Sequence, residues 1–321
     1  MLTKIMQPMC ATSFRRWILS NPKFNKFYCE MGEPSPFDVT LRDGLQALSK
    51  DEQNEFTTNK KLEIYKEIIL RHKPRNVEIG SIVSEKVLPI FKDTFQFFEA
   101  LHNNYQNEAL TEKTNHFIVV PNKDKLKAII NNNNINCLSF ITSVSNSFQV
   151  KNTKMNLEQS DQEIYEMLYE LDENLVRTKK PIVKLYVSCI NECPIEGKID
   201  NDFIVNRILK LSKMNVENIC LSDTCGTITT EDFEYIIESC LFFGLAPSKI
   251  SLHLHVKNDK ENEVESLIHK ALDFKINKFD VSYLKTGGCS VTMKKTSLTP
   301  NLSYDLYYKS FVSYIEKKCN T

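Results

Sequence analysis

Two distant segments of the chain carry side chains that could bind one metal ion. Segment 37–46 reads as a buried strand that runs directly into Arg42 and Asp43. Far downstream, another apolar strand contains His253 and His255, and side chains two residues apart on a strand lie on the same face. Both histidines can therefore reach one ion, and a carboxylate such as Asp43 completes three ligands. This oxygen and nitrogen set suits Mg, Mn, Zn or Fe(II) without choosing among them.

Other polar side chains near the same segments suggest acid–base chemistry. Arg42 would face a carboxylate, a thioester oxygen or a developing enolate, for which a fixed guanidinium is well suited. Glu78 and Asp223 could orient water or accept protons. Cys289 follows two glycines, and Lys285 nearby is expected to favour its thiolate. The thiol reads as a general acid or base that reaches the site when its loop closes.

The elements that must position these residues follow an alternating pattern. Apolar or β-branched runs predict strands near 37–41, 76–80, 116–120, 136–141, 182–187, 217–221, 250–255 and 278–283. Amphipathic stretches at 61–70, 161–175, 231–243 and 262–274 predict helices between strands, with a short one at 123–130. Eight alternating β and α units predict an α/β fold of the (β/α)8 TIM barrel type. An open, doubly wound sheet is the alternative, because strand count alone does not establish closure.

Polar residues and glycines concentrate where the predicted strands end. The polar residues are Arg42, Asp43, Glu78, Ser81, Ser143, Ser145, Ser188, Asp223, Thr224, His253 and His255. The glycines are Gly44, Gly80, Gly226, Gly287 and Gly288. Active sites of β/α barrels are built at the C-terminal ends of several strands. The pattern therefore favours the barrel and predicts one active site at this rim.

Composition narrows the classes of partner. Lys plus Arg and Asp plus Glu are 41 each in 321 residues, which argues against nucleic acid or an anionic membrane as a partner. No apolar run approaches the roughly 20 residues that a membrane helix needs. Ten cysteines without a regular framework are expected to be reduced, as in cytoplasm or the mitochondrial matrix rather than outside the cell.

Three regions are predicted along the chain. Residues 1–35 form an N-terminal extension or a targeting segment, since the first 29 residues are basic and free of acidic residues. Residues 36–302 form the barrel, and residues 303–321 form a C-terminal helix. The helix has an apolar stripe that could pack on the barrel or meet a second subunit, so a homodimer is possible.

Seven segments in order resemble the 3-hydroxy-3-methylglutaryl-CoA lyases, which belong to the barrel metallolyases that also include isopropylmalate and homocitrate synthases. The matching segments are 40–46, 77–84, 145–149, 186–189 with 193–199, 221–226, 253–255 and 287–289. The Gly287-Gly288-Cys289 segment and the Cys-Pro-x-Glu-Gly-Lys segment starting at Cys193 favour the lyases over the condensing enzymes. The resemblance runs from about residue 37 to residue 302.

The resemblance implies a reaction and a set of roles. The reaction is cleavage of 3-hydroxy-3-methylglutaryl-CoA to acetyl-CoA and acetoacetate, as in leucine catabolism and ketone body formation, with coenzyme A present as part of the substrate. The implied ligands of Mg or Mn are Asp43, His253, His255 and an asparagine, for which Asn301 is the candidate. The implied catalytic residues are Arg42, Glu78, Asp223, His253 and Cys289, and the implied substrate contacts are Arg42, Gln46, Ser81 and Ser188.

The chain departs from the family pattern near the second histidine and the cysteine. Val256 replaces an aspartate, and Ser290 replaces a proline. The asparagine ligand is expected about nine residues past the cysteine, where this chain has Leu298, so Asn301 requires a small insertion. Two alternatives therefore stay open: an impaired or repurposed relative, and an aldolase or acyl-CoA condensing enzyme on the same scaffold.

Overall fold

A closed parallel barrel organises the chain. The computed structural model describes residues 10–11, 13–14, 36–105 and 114–320. Within these residues eight parallel strands form the barrel, and the first strand pairs with the last. The barrel strands are β1 (Phe37–Asp38), β2 (Asn76–Ser81), β3 (Asn115–Val119), β4 (Cys137–Ser143), β5 (Ile182–Ser188), β8 (Asn218–Asp223), β9 (Ile250–Leu254) and β10 (Phe279–Val281), and a small hairpin of β6 (Glu192–Cys193) and β7 (Gly197–Lys198) follows β5. The predicted barrel is confirmed and the open sheet is wrong.

Helices follow most of the strands and cover the outside of the barrel. They are α1 (Lys50–Glu55), α2 (Thr58–His72), α3 (Thr94–Tyr105), α4 (Lys123–Lys127), α5 (Asn146–Thr153), α6 (Leu157–Asp172), α7 (Asn201–Leu211), α8 (Thr230–Phe242), α9 (Glu261–Asp273) and α10 (Tyr304–Asn320). The start of α6 shows why the sequence folds this way, since Asn156 and Gln159 form a reciprocal capping box that satisfies free backbone amides. None of the helices in the described part of the chain is long and apolar enough to cross a membrane.

The first strand is shorter than the sequence pattern predicts. A strand over 37–41 was expected, but β1 ends at Asp38 and residues Thr40–Gly44 form one π-helical turn. The carbonyl of Val39 accepts the backbone amides of Arg42, Asp43 and Gly44 at 3.2, 2.8 and 3.1 Å. Alternating apolar residues cannot distinguish this wide turn from a strand. The turn places Arg42 and Asp43 at the mouth of the barrel.

The two faces of the barrel strands differ in polarity. On β5, Leu185 and Val187 belong to the main apolar core, which joins the strands to the helices. Lys184 and Tyr186 alternate with them and contact residues across the barrel interior. Fully burying an aliphatic side chain stabilises by about 1.5–3 kcal/mol, so the apolar outer layer supports the fold. The barrel interior instead holds charged and polar groups that must satisfy one another.

The C-terminal helix α10 packs beside strand β1 and helix α2, and on part of the N-terminal extension. Phe14 is 5% exposed, and its ring centre lies 5.0 Å from Tyr308 and 6.4 Å from Phe311. The ring of Tyr304 stacks on His72 at 3.7 Å, and its hydroxyl donates to Asp38 at 2.9 Å. The basic residues of the proposed targeting segment (Lys4, Arg15, Arg16, Lys23 and Lys26) lie outside the described residues. The limits 1–35, 36–302 and 303–321 stay a prediction.

The cysteines whose side chains the structure describes are all free. They are Cys10, Cys137, Cys189, Cys193, Cys220, Cys225, Cys240 and Cys289. The expectation of reduced thiols agrees with this part of the chain.

Candidate active site

Asp43, His253 and His255 meet at the C-terminal mouth of the barrel. Asp43 Oδ2 lies 3.8 Å from His253 Nε2 and 3.8 Å from His255 Nε2. The three side chains offer ligand atoms within 4.8 Å of one another, and all three are buried. Asp43 follows β1 and the histidines lie at the end of β9, so barrel closure brings together residues about 210 positions apart.

Both histidines are oriented through their other ring nitrogen. His253 Nδ1 lies 3.0 Å from Asp280 Oδ2, and His255 Nδ1 lies 3.0 Å from the backbone carbonyl of Asp223. These acceptors require Nδ1 to carry a proton, so in the neutral ring the lone pair is on Nε2, the nitrogen that lies on the side of Asp43. The arrangement is that of metal-ligating histidines with carboxylate and carbonyl partners.

Asn301 completes the group through a backbone pairing. His255 and Asn301 form an antiparallel bridge, flanked by hydrogen bonds from Val256 N to Pro300 O (2.8 Å) and from Leu302 N to Leu254 O (3.0 Å). Asn301 Nδ2 donates to Asp43 Oδ2 at 3.0 Å. The pairing sets Asn301 beside His255 whatever the length of the loop between Cys289 and Pro300, which accommodates the insertion noted in the sequence.

Two buried atoms in this group have no hydrogen-bond partner among the described residues. They are His255 Nε2 and Asn301 Oδ1. Buried polar atoms are nearly always satisfied, so an orphaned lone pair on each of two adjacent side chains needs an explanation. A divalent cation bound by these atoms together with Asp43 and His253 would satisfy both. The residues present therefore fit Mg or Mn, whereas their chemistry alone does not select one metal.

The two glycines before Cys289 make room for this group. A side chain on Gly287 would place its Cβ 2.6 Å from Asn301 Cγ, which is too close for any residue but glycine. Gly288 has φ +99°, in the region that favours glycine, and its amide donates to Asp43 Oδ2 at 2.9 Å. The segment thus packs directly on the candidate cation group.

Arg42 pairs with two carboxylates beside that group. Its NH1 lies 2.5 Å from Asp43 Oδ1, and its Nε contacts Glu78 Oε2. Glu78 is fully buried and also accepts from Ser139 Oγ at 2.5 Å and from Tyr186 OH at 3.1 Å. Burial is the largest single influence and raises the pKa of Asp43, but Arg42, His255 and His253 together outweigh it and hold that pKa well below its usual range. Glu78 therefore holds the guanidinium of Arg42 in place, and it is not among the described residues that line the cavity.

Sequence reasoning missed a polar network beneath the site. Asp280 Oδ1 accepts from Lys184 Nζ at 2.5 Å, and Asp280 Oδ2 lies 3.0 Å from both His253 Nδ1 and Tyr186 OH. Burial is the largest single influence and raises the pKa of Asp280, but Lys184 and His253 together outweigh it and lower that pKa to about 2. The signal in the sequence was a lysine and an aspartate inside otherwise apolar strands, since such charges are rarely buried without partners.

The carboxylate of Asp223 was predicted to act in the site, but it binds backbone amides of its own loop instead. Its carboxylate accepts the backbone amides of Thr227 and Ile228, each at 3.1 Å, and it is not among the described residues that line the cavity. Burial raises the pKa of Asp223. The carboxylate shapes the loop after β8, and the backbone carbonyl of the same residue orients His255. The side chain does not reach the site as a base, because those local amides occupy it.

The environment of Cys289 contradicts the predicted thiolate. Lys285 is exposed, whereas burial raises the pKa of Cys289 and the charge of Asp43 adds to the rise. The thiol donates to Asn152 Oδ1 at 3.7 Å, and Gln46 Nε2 lies 3.8 Å from the sulfur. Cys289 is therefore a protonated thiol, suited to donate a proton.

One cavity of about 140 Å³ joins these groups and opens to solvent. Its polar lining includes Arg42, Asp43, Gln46, Ser81, Tyr186, Ser188, His253, His255 and Cys289, and its apolar lining includes Val83, Val87, Leu88, Ile141, Phe148 and Val291. The predicted substrate contacts Arg42, Gln46, Ser81 and Ser188 thus all face one space. A polar end and an apolar wall suit an acidic molecule with an aliphatic portion.

Comparisons with known proteins show which family and which proteins this chain is similar to. A model of the HMGL-like family matches residues 33–262. Mitochondrial hydroxymethylglutaryl-CoA lyase of Arabidopsis thaliana is 26% identical over 253 residues, which cover 78% of this chain and 49% of that protein. Hydroxymethylglutaryl-CoA lyase of Pseudomonas mevalonii is 23% identical over 258 residues, covering 79% and 77%. The chain thus spans about half the length of the Arabidopsis relative.

A solved structure shows the same fold. The HMG-CoA lyase of Acinetobacter baumannii, in complex with coenzyme A and 3-methylmalate, superposes with a TM-score of 0.68 at 20% identity. The match covers 90% of this chain and 85% of that one. At this identity the solved structure establishes the barrel fold alone.

Proposed function

We propose that this chain, which belongs to the HMGL-like family, is a divalent-metal-dependent carbon–carbon lyase that cleaves 3-hydroxy-3-methylglutaryl-CoA to acetyl-CoA and acetoacetate. The observation that carries the proposal is the pair of orphaned ligand atoms, His255 Nε2 and Asn301 Oδ1, in the same cavity as Arg42 and Cys289. The relatives described above are lyases on this substrate, so an impaired relative or a condensing enzyme is not favoured.

The cleavage moves two protons and breaks one carbon–carbon bond. The C3 hydroxyl loses its proton as C3 becomes a ketone, and the bond between C2 and C3 breaks to leave the enolate of acetyl-CoA. That enolate then takes up a proton at carbon. Mg or Mn bound by Asp43, His253, His255 and Asn301 would supply a Lewis acid that lowers the pKa of the substrate hydroxyl.

The side chains of the chain have separate tasks in this scheme. Arg42, fixed by Glu78, presents a guanidinium to the thioester oxygen and stabilises the enolate charge. The hydroxyl proton passes to solvent through the open cavity, because Asp43, the carboxylate among the described lining residues, is paired with Arg42 and has a lowered pKa. Cys289 Sγ–H donates its proton to the departing carbon, which matches its raised pKa. Gln46 and Asn152 hold the sulfur, and the Val87, Leu88 and Val291 wall excludes water from the acyl chain.

The compartment and assembly remain part of the proposal. Relatives of this family include mitochondrial and cytoplasmic forms, and we propose the mitochondrial matrix or the cytoplasm for this chain. A homodimer joined through surfaces outside the barrel mouth is compatible with a site whose candidate groups all come from one chain.

The test is acetoacetate release from 3-hydroxy-3-methylglutaryl-CoA by purified protein with added Mn or Mg. We expect release that requires the metal and falls sharply in Cys289→Ala. A parallel assay with acetyl-CoA and a 2-oxo acid, read as free CoA, should stay at background. Release of CoA there without acetoacetate in the first assay would instead identify a condensing enzyme, and folded, metal-loaded protein inactive in both would identify a repurposed relative.

A further inference from the structure

A buried lysine on the inner face of β5 has no task in the scheme above. Lys184 is 2% exposed, and its Nζ lies 3.4 Å from the ring centre of Phe37 on the opposite strand β1. Its ion-pair partner is Asp280 Oδ1 at 2.5 Å. Burying an ammonium group is costly unless it is paired, so its presence deep in the barrel calls for a reason.

Asp280 connects that lysine to the candidate cation group. One carboxylate oxygen takes Lys184, and the other lies 3.0 Å from both His253 Nδ1 and Tyr186 OH. The same Tyr186 hydroxyl lies 3.1 Å from Glu78 Oε2, which pairs with Arg42. One oxygen atom of Asp280 therefore holds two side chains. They are His253, a candidate metal ligand, and Tyr186, which donates to the carboxylate that pairs with Arg42.

The contacts close into one circuit around the mouth of the barrel. In order, it runs through Arg42, Asp43, His253, Asp280, Tyr186 and Glu78, and returns to Arg42. Arg42 already pairs with two carboxylates of the circuit, so its charge is not available to the third. Lys184 lies outside the circuit, and its ammonium charge pairs with that third carboxylate.

We propose that Lys184 is a positioning residue for the divalent-cation site, acting through Asp280 on His253. With the ammonium group as counter-ion, Asp280 is a carboxylate that can only accept hydrogen bonds, so His253 Nδ1 donates and Nε2 stays directed at Asp43. Without Lys184 the carboxylate loses its anchor, and the imidazole loses its fixed orientation. This inference rests on the proposed function, because it requires the site to take a divalent cation.

The experiment measures Mn²⁺ binding to the purified full chain by calorimetry, independently of turnover. Lys184→Met should weaken Mn²⁺ binding about 10- to 100-fold, the usual range for loss of a partner behind a ligand. Lys184→Arg, which keeps the charge, should stay within about threefold of wild type. The matched control is Lys61→Met, which breaks another buried lysine–aspartate pair, with Asp93, away from the site and should leave Mn²⁺ affinity unchanged.

A second set of variants covers the case in which Lys184→Met does not fold. The double variant Lys184→Met/Asp280→Asn removes both members of the ion pair, so neither charge stays buried without its partner, and Asp280→Asn alone is its reference. We expect Asp280→Asn to weaken Mn²⁺ binding, and the double variant to bind no more weakly than Asp280→Asn alone, because Lys184 acts only through Asp280. Additive losses would contradict that route.

The outcomes separate this inference from the function it rests on. Folded Lys184→Met that binds Mn²⁺ as tightly as wild type would overturn the positioning role and leave the lyase proposal standing. Wild-type protein that binds no Mn²⁺ would overturn both. A loss in Lys184→Met that Lys184→Arg restores, with Lys61→Met unaffected, would establish the role.

Discussion

The candidate cation group and the thiol share one cavity but are held in different ways. Asp43, His253, His255 and Asn301 are at most 5% exposed, and each is fixed by at least one hydrogen bond of 3.0 Å or less. Cys289 lies in an irregular segment, is half-buried, and has side-chain contacts to its sulfur of 3.7 and 3.8 Å. Coordination needs ligands placed within fractions of an ångström, whereas a proton donor only has to reach its target once the substrate is bound.

The largest effect is expected when the negative charge of Asp43, at the centre of the candidate cation group, is removed. Asp43→Asn should lower kcat by at least about 10³-fold, or roughly 4 kcal/mol, because a charged metal ligand and the partner of Arg42 are lost together. Mn²⁺ affinity should fall in parallel, as measured by calorimetry. Asp232→Asn, at a partly exposed ion pair with Lys198, is the control and should change neither. A Mn²⁺ affinity unaltered in Asp43→Asn would place the cation elsewhere.

Removing the thiol should affect turnover without affecting the metal. Cys289→Ala is expected to lower kcat about 10²- to 10⁴-fold, the range for loss of a positioned acid, while Mn²⁺ affinity stays within about threefold. The comparison is steady-state acetoacetate release beside calorimetry on the same preparation. Cys240→Ala, a buried thiol on α8, serves as the control and should retain turnover. If Cys289→Ala lost metal affinity as well, the two regions would not be separate.

Substitutions of two asparagines, Asn301 and Asn152, should give smaller effects that separate metal binding from turnover. Asn301→Ala should weaken Mn²⁺ binding about tenfold, since one neutral oxygen ligand is lost. Asn152→Ala, which removes the partner of the Cys289 thiol, should lower kcat about tenfold with unchanged metal affinity. Equal effects of both variants on Mn²⁺ affinity would remove the distinction between ligand and thiol partner.

The smallest effect on turnover is expected for a substitution of Asp38 on β1, whose carboxylate contacts Tyr304 of the C-terminal helix. Burial raises the pKa of Asp38 from 3.8 to about 7. The folded protein therefore holds a proton that the unfolded chain releases between these values, so this stability contribution is full below about pH 4 and is lost as the pH rises to about 7.

Asp38→Asn keeps the shape of the side chain and cannot ionise. Relative to this variant, the free energy of unfolding of the wild type should decline by on the order of 1–3 kcal/mol from pH 4 to pH 7, measured in urea. The kcat of the folded variant at fixed pH should match wild type. A pH-independent difference between the two proteins would show that Asp38 is ionised throughout.

Periodicity in the sequence was sufficient for the barrel and for part of the site. Spacing of apolar runs located the eight strands, and the His253 and His255 pair followed from the two-residue repeat of a strand. The end of β1 at Asp38 was not predictable, because a π-helical turn keeps the same apolar pattern.

What the sequence left open or predicted wrongly concerns contacts made across the fold. Asn301 reaches the site because the chain beyond Cys289 pairs with the end of β9, where Val256 contributes its backbone amide and not its side chain. Lys285 is near Cys289 in sequence but exposed, so its charge does not activate the thiol. The network of Lys184, Tyr186 and Asp280 joins strands on different sides of the barrel, and single-strand patterns carry no information about such partners.

The central claim is that one divalent cation is bound at the mouth of the barrel by Asp43, His253, His255 and Asn301. The most direct test is anomalous diffraction from crystals of the protein grown with Mn²⁺. We expect a single strong peak at coordinating distance, about 2.0–2.6 Å, from His253 Nε2, His255 Nε2, Asp43 Oδ2 and Asn301 Oδ1. A peak bound by other residues, or no peak at saturating Mn²⁺, would contradict the account.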